Sequence, residues 1–183
     1  VSDRSAITNE NGRDMSIPEI ETERLRLRAL RADDFEAYAE IMADPEVTRF
    51  LADGRPLSRV DAWRQLAMIL GHWELKGFGL WAVEEKGTGR LLGRIGCFEP
   101  EGWPAFEIAY TLGQHAWGRG YASEGAAAAL DWSRTVLGQR DVCSVIKTGN
   151  VRSERVATKL GARLVETVPF YESTAGIWRY GKG

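Results

Sequence analysis

Histidine and cysteine are both scarce in this chain, which carries two of each, His72, His115, Cys97 and Cys143. Neither cysteine belongs to a CxxC pair or has a histidine close by in sequence, which excludes a zinc cluster and a disulfide scaffold. Also missing is any apolar run approaching the roughly 18 to 20 residues that span a bilayer, and the first residues lack a charged-then-apolar secretory pattern. Positive charge is not in excess: 24 Lys and Arg against 26 Asp and Glu leave a formal net charge of -2, so no overall field gathers a polyanion. These absences predict a cytoplasmic protein with no metal, nucleic acid or membrane as partner, and the chain is expected as a monomer or homodimer. The composition itself, 44% hydrophobic and 27% charged over 183 residues, is that of a globular chain with enough apolar material for one core.

Residues 1–16 hold hardly any apolar side chain and are expected to form a flexible tail. Residues 17–183 read as a single domain, because no repeat, low-complexity segment or linker interrupts them. Leu25 and Leu27 alternate with Arg24, Arg26 and Arg28, the pattern of a strand with one buried face and one solvated basic face. Asp33 and Asp34 precede Phe35, Tyr38, Ile41 and Met42 at helical spacing, an acidic pair at the positive end of a helix dipole, with a stop before Pro45. A second helix is expected from Ser58 toward Gly77. Strand-like runs at 80–85, 91–98 and 106–112 follow, joined by turns suited to antiparallel neighbours. Beyond Leu112 the order becomes helix (about 121–137), strand (142–147), helix (151–160) and strand (163–168), with a closing strand at 177–180 after a turn at 173–176. The expected fold class is α/β: a mixed sheet of six to seven strands, antiparallel in its first half and locally parallel in its second, flanked by about four helices.

The most informative stretch runs from Leu112 to Gly125, a glycine-rich loop between a strand and a helix. Gly118 and Gly120 have no Cβ to block close approach, and the first N–H groups of the following helix lack partners at its positive dipole end. Such a loop is suited to a pyrophosphate, although glycines serve ordinary tight turns as well. Two phosphate motifs do not match. No G-x-x-x-x-G-K-[ST] string exists, and a G-x-G-x-x-G fingerprint starting at Gly118 meets Ser123 where its last glycine belongs.

Trp117-Gly118-Arg119-Gly120-Tyr121-Ala122 resembles motif A of the GNAT superfamily of N-acetyltransferases, Q/R-x-x-G-x-G/A, with Gly120 and Ala122 at the fixed positions and Trp117 replacing the Gln or Arg. The W-G-x-G-Y/F-A form is similar to the RimJ/RimL-type branch, the ribosomal-protein N-acetyltransferases and their relatives. Glu21-Thr22-Glu23-Arg24-Leu25-Arg26-Leu27-Arg28 resembles that branch's opening, and Asn150-Val151-Arg152-Ser153 with Lys159-Leu160-Gly161 resembles its later segments. The likeness covers nearly all of 20–180. Ala162 and Gln114 depart from it, where Phe and Pro are usual.

The resemblance implies that acetyl-CoA is the co-substrate, lying where the sheet is parallel. The pantetheine arm would run against the strand ending at Leu112, whose N–H would polarise the thioester carbonyl. The backbone of Trp117, Gly118, Arg119, Gly120, Tyr121 and Ala122 would receive the pyrophosphate, with Asn150 and Ser153 in further contact. Glu107 takes the position of the general base on the corresponding strand of the histone-acetyltransferase branch. Because Phe106, Ile108 and Tyr110 share one face, a solvated Glu107 at the strand start is the competing reading. The Tyr that elsewhere protonates the departing thiolate is replaced by Ala157, and Ser153 is the residue implied to assist instead. Its i, i+3, i+4, i+7 stripe with Val156, Ala157 and Leu160 aims it inward, while Asn150 also suits a helix N-cap.

The implied reaction is acetyl transfer to a primary amine by direct attack in a ternary complex, since neither cysteine falls at a motif position. A CoA-binding regulatory or scaffold domain without turnover is the alternative. The acceptor is a small-molecule or peptide amine, and a protein N-terminal α-amine is favoured. An α-amine with a reference pKa near 8 is roughly a tenth neutral at pH 7, against less than about a thousandth for a lysine amine. Specificity is expected from the first two helices, the loop 99–105 and the segment 169–176. No partner constellation supports a role for His72 or His115, and Trp63, Trp73 and Trp81 read equally as core or as cleft walls.

Overall fold

The computed structural model describes residues 16–181, so the expected tail, apart from Ser16, lies outside the described residues. Eight strands form one sheet in the order β1-β2-β3-β4-β5-β6-β8-β7. They are β1 (Ile20–Glu21), β2 (Leu25–Arg28), β3 (Leu80–Glu85), β4 (Leu91–Phe98), β5 (Glu107–Leu112), β6 (Cys143–Lys147), β7 (Ala162–Phe170) and β8 (Ser173–Tyr180). The helices are α1 (Phe35–Ala43), α2 (Pro45–Thr48), α3 (Arg59–Lys76), α4 (Tyr121–Thr135) and α5 (Val151–Lys159). The strand count exceeds the expected six to seven because Ile20 and Glu21 pair with Leu27 and Arg26. The fifth helix arises at Pro45, which stops α1 and then opens α2, its missing N–H costing nothing in a first turn.

Alternation along the strands divides the apolar side chains between two faces. Leu25, Leu27, Trp81, Val83, Ile95 and Ile108 pack against Ala126, Ala129 and Leu130 of α4. Leu80 and Ala82 on the opposite face meet Tyr38, Met42, Leu66 and Ile69 of α1 and α3. Helix α3 begins where Ser58 caps the Asp61 N–H at 3.1 Å and ends where Gly77 adopts a left-handed φ of 73°, a start and stop visible in sequence. Trp73 and Trp81 are core, stacked edge-on at 4.9 Å, whereas Trp63 is 59% exposed.

Three readings need correction. Arg28 is buried, not solvated: its guanidinium reaches Asp34 at 2.7 Å and Glu84 at 2.6 Å, two carboxylates from elements that sequence alternation cannot place beside it. The last turn lies at 171–172, where Tyr171 takes a φ of 50°, and Phe170 pairs with Ser173; 173–176 is strand. Parallel pairing is confined to β5 and β6, with Glu107 opposite Cys143. Strand β8 inserts antiparallel between β6 and β7, so the strand-helix-strand unit β6-α5-β7 does not bring its strands side by side.

Candidate functional site

The site begins with a divergence. β5 and β6 touch at a single register pair, Glu107 with Cys143, and then separate, which leaves the far half of β5 without a neighbour on that side. On its other side β5 pairs with β4 through to Gly93 and Leu112. The Gly113 N–H donates to the Leu92 carbonyl at 2.9 Å, so by the alternation of an antiparallel ladder the N–H groups of Tyr110 and Leu112 turn away from β4. They point into the wedge. The Leu112 carbonyl is occupied by the Trp117 indole N–H at 2.8 Å.

The glycine loop closes one end of the wedge. Gly118 and Gly120 have φ of 74° and 83°, left-handed values that favour glycine, and a Cβ on Gly118 would meet nothing within 4 Å. Gly120 is the N-cap of α4 and supplies no side-chain cap, so the first-turn N–H groups keep their donor capacity. Arg24 holds the loop from behind. Its Nη1 donates to the Arg119 carbonyl at 2.9 Å, and its Nε to Glu124 at 2.7 Å. The Arg119 side chain pairs with Glu85 at 3.2 Å, and Tyr121 donates its hydroxyl to the same carboxylate. Arg152 lies over the Trp117 ring at 4.1 Å. Backbone donors, a helix N-terminus, Arg152 and Arg155 surround an open groove of about 310 Å³, a donor set that fits a pyrophosphate.

A second cavity of about 430 Å³ lies on the α1 and α3 side of the sheet. Tyr110, Thr111, Asn150 and Ser153 line both spaces; the two meet there. Asn150 caps α5 by accepting the Ser153 N–H at 3.3 Å, which confirms the capping reading. Ser153 is half-buried at the seam, and its carbonyl accepts the Tyr110 hydroxyl at 2.9 Å.

Glu107 is not solvated. It is 4% exposed, shares a face with Ala109 and Thr111, and lines the second cavity. The Trp103 indole N–H donates to Oε1 at 3.0 Å and the Val145 N–H to Oε2 at 2.8 Å. Burial pushes its carboxyl up to about 7, against the pull of those two donors and the Arg94 charge. Such a carboxyl accepts a proton near neutrality. Sequence reading passed over Trp103, Tyr110 and Arg94; the indole sits in a Pro and Gly loop with no periodicity, and only the fold brings it to Glu107.

His72 belongs to the core architecture, its Nδ1 2.8 Å from the Phe78 carbonyl and its Nε2 accepting the Glu99 N–H at 3.3 Å. Cys97 and Cys143 are buried, burial raises both thiols, and Cys143 is pushed up to about 12. Neither lines the two cavities.

Residues 24–163 match the model of the acetyltransferase (GNAT) domain. The chain belongs to the GNAT acetyltransferases. This GNAT chain is 32% identical over 165 residues to the uncharacterized protein YkkB of Bacillus subtilis, covering 86% of its own length and 92% of that protein's. It is 28% identical over 157 residues to the FsC-acetyl coenzyme A-N(2)-transacetylase of Aspergillus fumigatus, covering 82% and 67% of the two chains. The crystal structure of an acetyltransferase from Agrobacterium tumefaciens superposes with a TM-score of 0.82 at 32% identity, over 91% of this chain and 96% of that one. The GNAT acetyltransferase is thus an acyltransferase with the mixed α/β fold of its family.

Proposed function

We infer that the enzyme moves an acetyl group from acetyl-CoA to a primary amine by direct attack in a ternary complex. The observation that carries this reading is the seam at Tyr110, Thr111, Asn150 and Ser153, where a groove lined by backbone donors opens onto a cavity that holds a buried carboxyl. Donor and acceptor would meet at that seam. The loop 117–122, Asn150, Arg152 and Arg155 would hold the CoA portion, which supplies an activated acyl group when bound. The Aspergillus relative, named as an acetyl coenzyme A transacetylase, supports that donor.

The Leu112 N–H would meet the carbonyl oxygen on which charge develops, as a preorganised donor. Glu107 takes the amine's proton. Five residues of strand, about 16 Å, separate it from Leu112, so water carries the proton between the seam and the carboxylate. Ser153 offers its hydroxyl to the departing sulfur. The likeness to the RimJ/RimL-type branch and the larger neutral fraction of an α-amine favour a protein N-terminus as acceptor.

The test measures CoA release with acetyl-CoA and a panel of amines. Peptides with a free N-terminus should outrun the same peptides with a blocked N-terminus and an internal lysine. Efficient acetylation of the blocked peptides, or of small non-peptide amines alone, rejects a protein N-terminus as the favoured acceptor. Acetyl-CoA binding without turnover on any amine assigns the chain to CoA binding alone.

A further inference from the structure

Arg94 makes no hydrogen bond or ion pair among the described residues. It lies on β4 opposite Thr111, so its side chain shares the sheet face of Thr111 and Glu107 and enters the wall of the larger cavity. Its Nε is buried without a hydrogen bond. The two terminal nitrogens are not buried in that way and also make no hydrogen bond or ion pair among the described residues. The arginines at and just before β2 each have a carboxylate: Arg24 has Glu124, Arg26 has Glu21 and Arg28 has Asp34 and Glu84.

A guanidinium with a buried Nε and no carboxylate at hydrogen-bond distance is costly, since desolvation is offset only by paired hydrogen bonds. The remaining charged groups of this wall do not supply them. Glu107 spends its oxygens on Trp103 and Val145, Glu101 is exposed, and Lys147 reaches the Ala52 carbonyl at 3.3 Å. A second donor lies in the same wall. The Tyr38 hydroxyl donates to Gln65 Oε1 at 2.6 Å, which fixes the amide and leaves its Nε2 hydrogens without a protein acceptor among the described residues.

The geometry points to an anion subsite at Arg94 and Gln65 for a carboxylate carried by the acceptor itself. The acceptor is then an amine that bears a carboxylate: a free amino acid, or a peptide N-terminus followed by an acidic side chain. Arg94 takes the carboxylate in the forked geometry that guanidinium favours, and Glu107 in the same cavity serves the amine. Cation and carboxyl thus complement a zwitterion. This assignment rests on the amine-transfer reading above.

The test separates binding from turnover. Protein saturated with CoA is titrated calorimetrically with matched pairs, several amino acids against their amides and a peptide with Asp second against one with Asn there. The carboxylate member of one pair should bind roughly 10- to 100-fold more tightly, the usual worth of a hydrogen bond to a charged group. Arg94→Gln should erase that ratio and Arg94→Lys restore part of it, with the acetyl-CoA thermal shift retained in both as evidence of an intact fold. The pair that discriminates identifies the source of the carboxylate. No binding of any carboxylate probe at millimolar concentration, or a ratio that survives Arg94→Gln, overturns the subsite. Carboxylate binding that depends on Arg94 without acetylation leaves the subsite standing and overturns the transfer reading.

Discussion

Glu107 and Ser153 carry the sharpest expectations because each stands where only one chemistry is on offer. Glu107 is a buried carboxyl raised to about 7, so the rate should climb with pH through the neutral range as its base form fills. In Glu107→Gln that limb should vanish and the optimum move to higher pH; a profile unchanged from the parent would remove Glu107 from proton transfer. The same shift acts on stability. A folded-state pKa above the unfolded one means that the folded chain binds its proton more tightly, so stability is full below about 4.5 and falls as pH rises toward 7. Glu107→Gln should flatten this fall between pH 5 and pH 8, read from denaturant midpoints, while its absolute stability also reflects one mismatched donor against Trp103 or Val145. Ser153→Ala should slow turnover by about 10- to 100-fold, below the usual range for acid catalysis because water substitutes, with acetyl-CoA affinity held. An unchanged rate with chemistry rate-limiting would leave Ser153 to helix packing. The position of Ser153 was legible from its stripe on α5, whereas the burial of Glu107 was not. Period-2 alternation sets Glu107 apart from Phe106 and Ile108, but whether that face meets water depends on Trp103 and α3, which sequence spacing does not bring to β5.

The loop between β5 and α4 is the element on which the proposed donor binding turns. Its glycines, its helix N-terminus and its place after a strand were readable, since each follows from local geometry. The reason it is held open was not: Arg24 lies 95 residues before Arg119, whose carbonyl it binds, and Glu124 receives Thr22 and Arg24 together. A pattern in the opening strand thus shapes the loop through the sheet. Saturating acetyl-CoA at a hundredfold excess over its dissociation constant should stabilise the fold by about 2.7 kcal/mol, roughly 5 to 10 °C for a chain of this size. Gly120→Val should lose that shift. A φ of 83° and a Cβ position 3.3 Å from Arg24 Nη2 will also lower its own melting temperature, so the readout is the difference made by acetyl-CoA. A full shift in the variant would put the pyrophosphate elsewhere.

At the scale of the whole molecule, function follows from a sheet that fails to close. β4 and β5 pair along their length, β6 and β8 do the same, and between the two halves a single parallel contact at Glu107 and Cys143 acts as the apex of the wedge. The order β3-β4-β5 was readable because short turns fix neighbours, whereas β1 was not expected and β2 reaches β3 only after α1, α2 and α3. The insertion of β8 between β6 and β7 depends on non-local pairing, which no local signal encodes. With α1 and α3 on one face and α4 on the other, the wedge opens to the cavity proposed for the acceptor on one side and the groove proposed for the donor on the other. Both thiols are buried away from these spaces, so no cysteine is placed to carry an acetyl group, in keeping with the proposed direct transfer, which requires both substrates to be present together. Initial rates measured over a grid of acetyl-CoA and acceptor concentrations test this most directly. Double-reciprocal lines should intersect, with no acetylated protein detected by mass after incubation with acetyl-CoA alone. Parallel lines together with an acetyl adduct on the chain would contradict direct transfer at the seam.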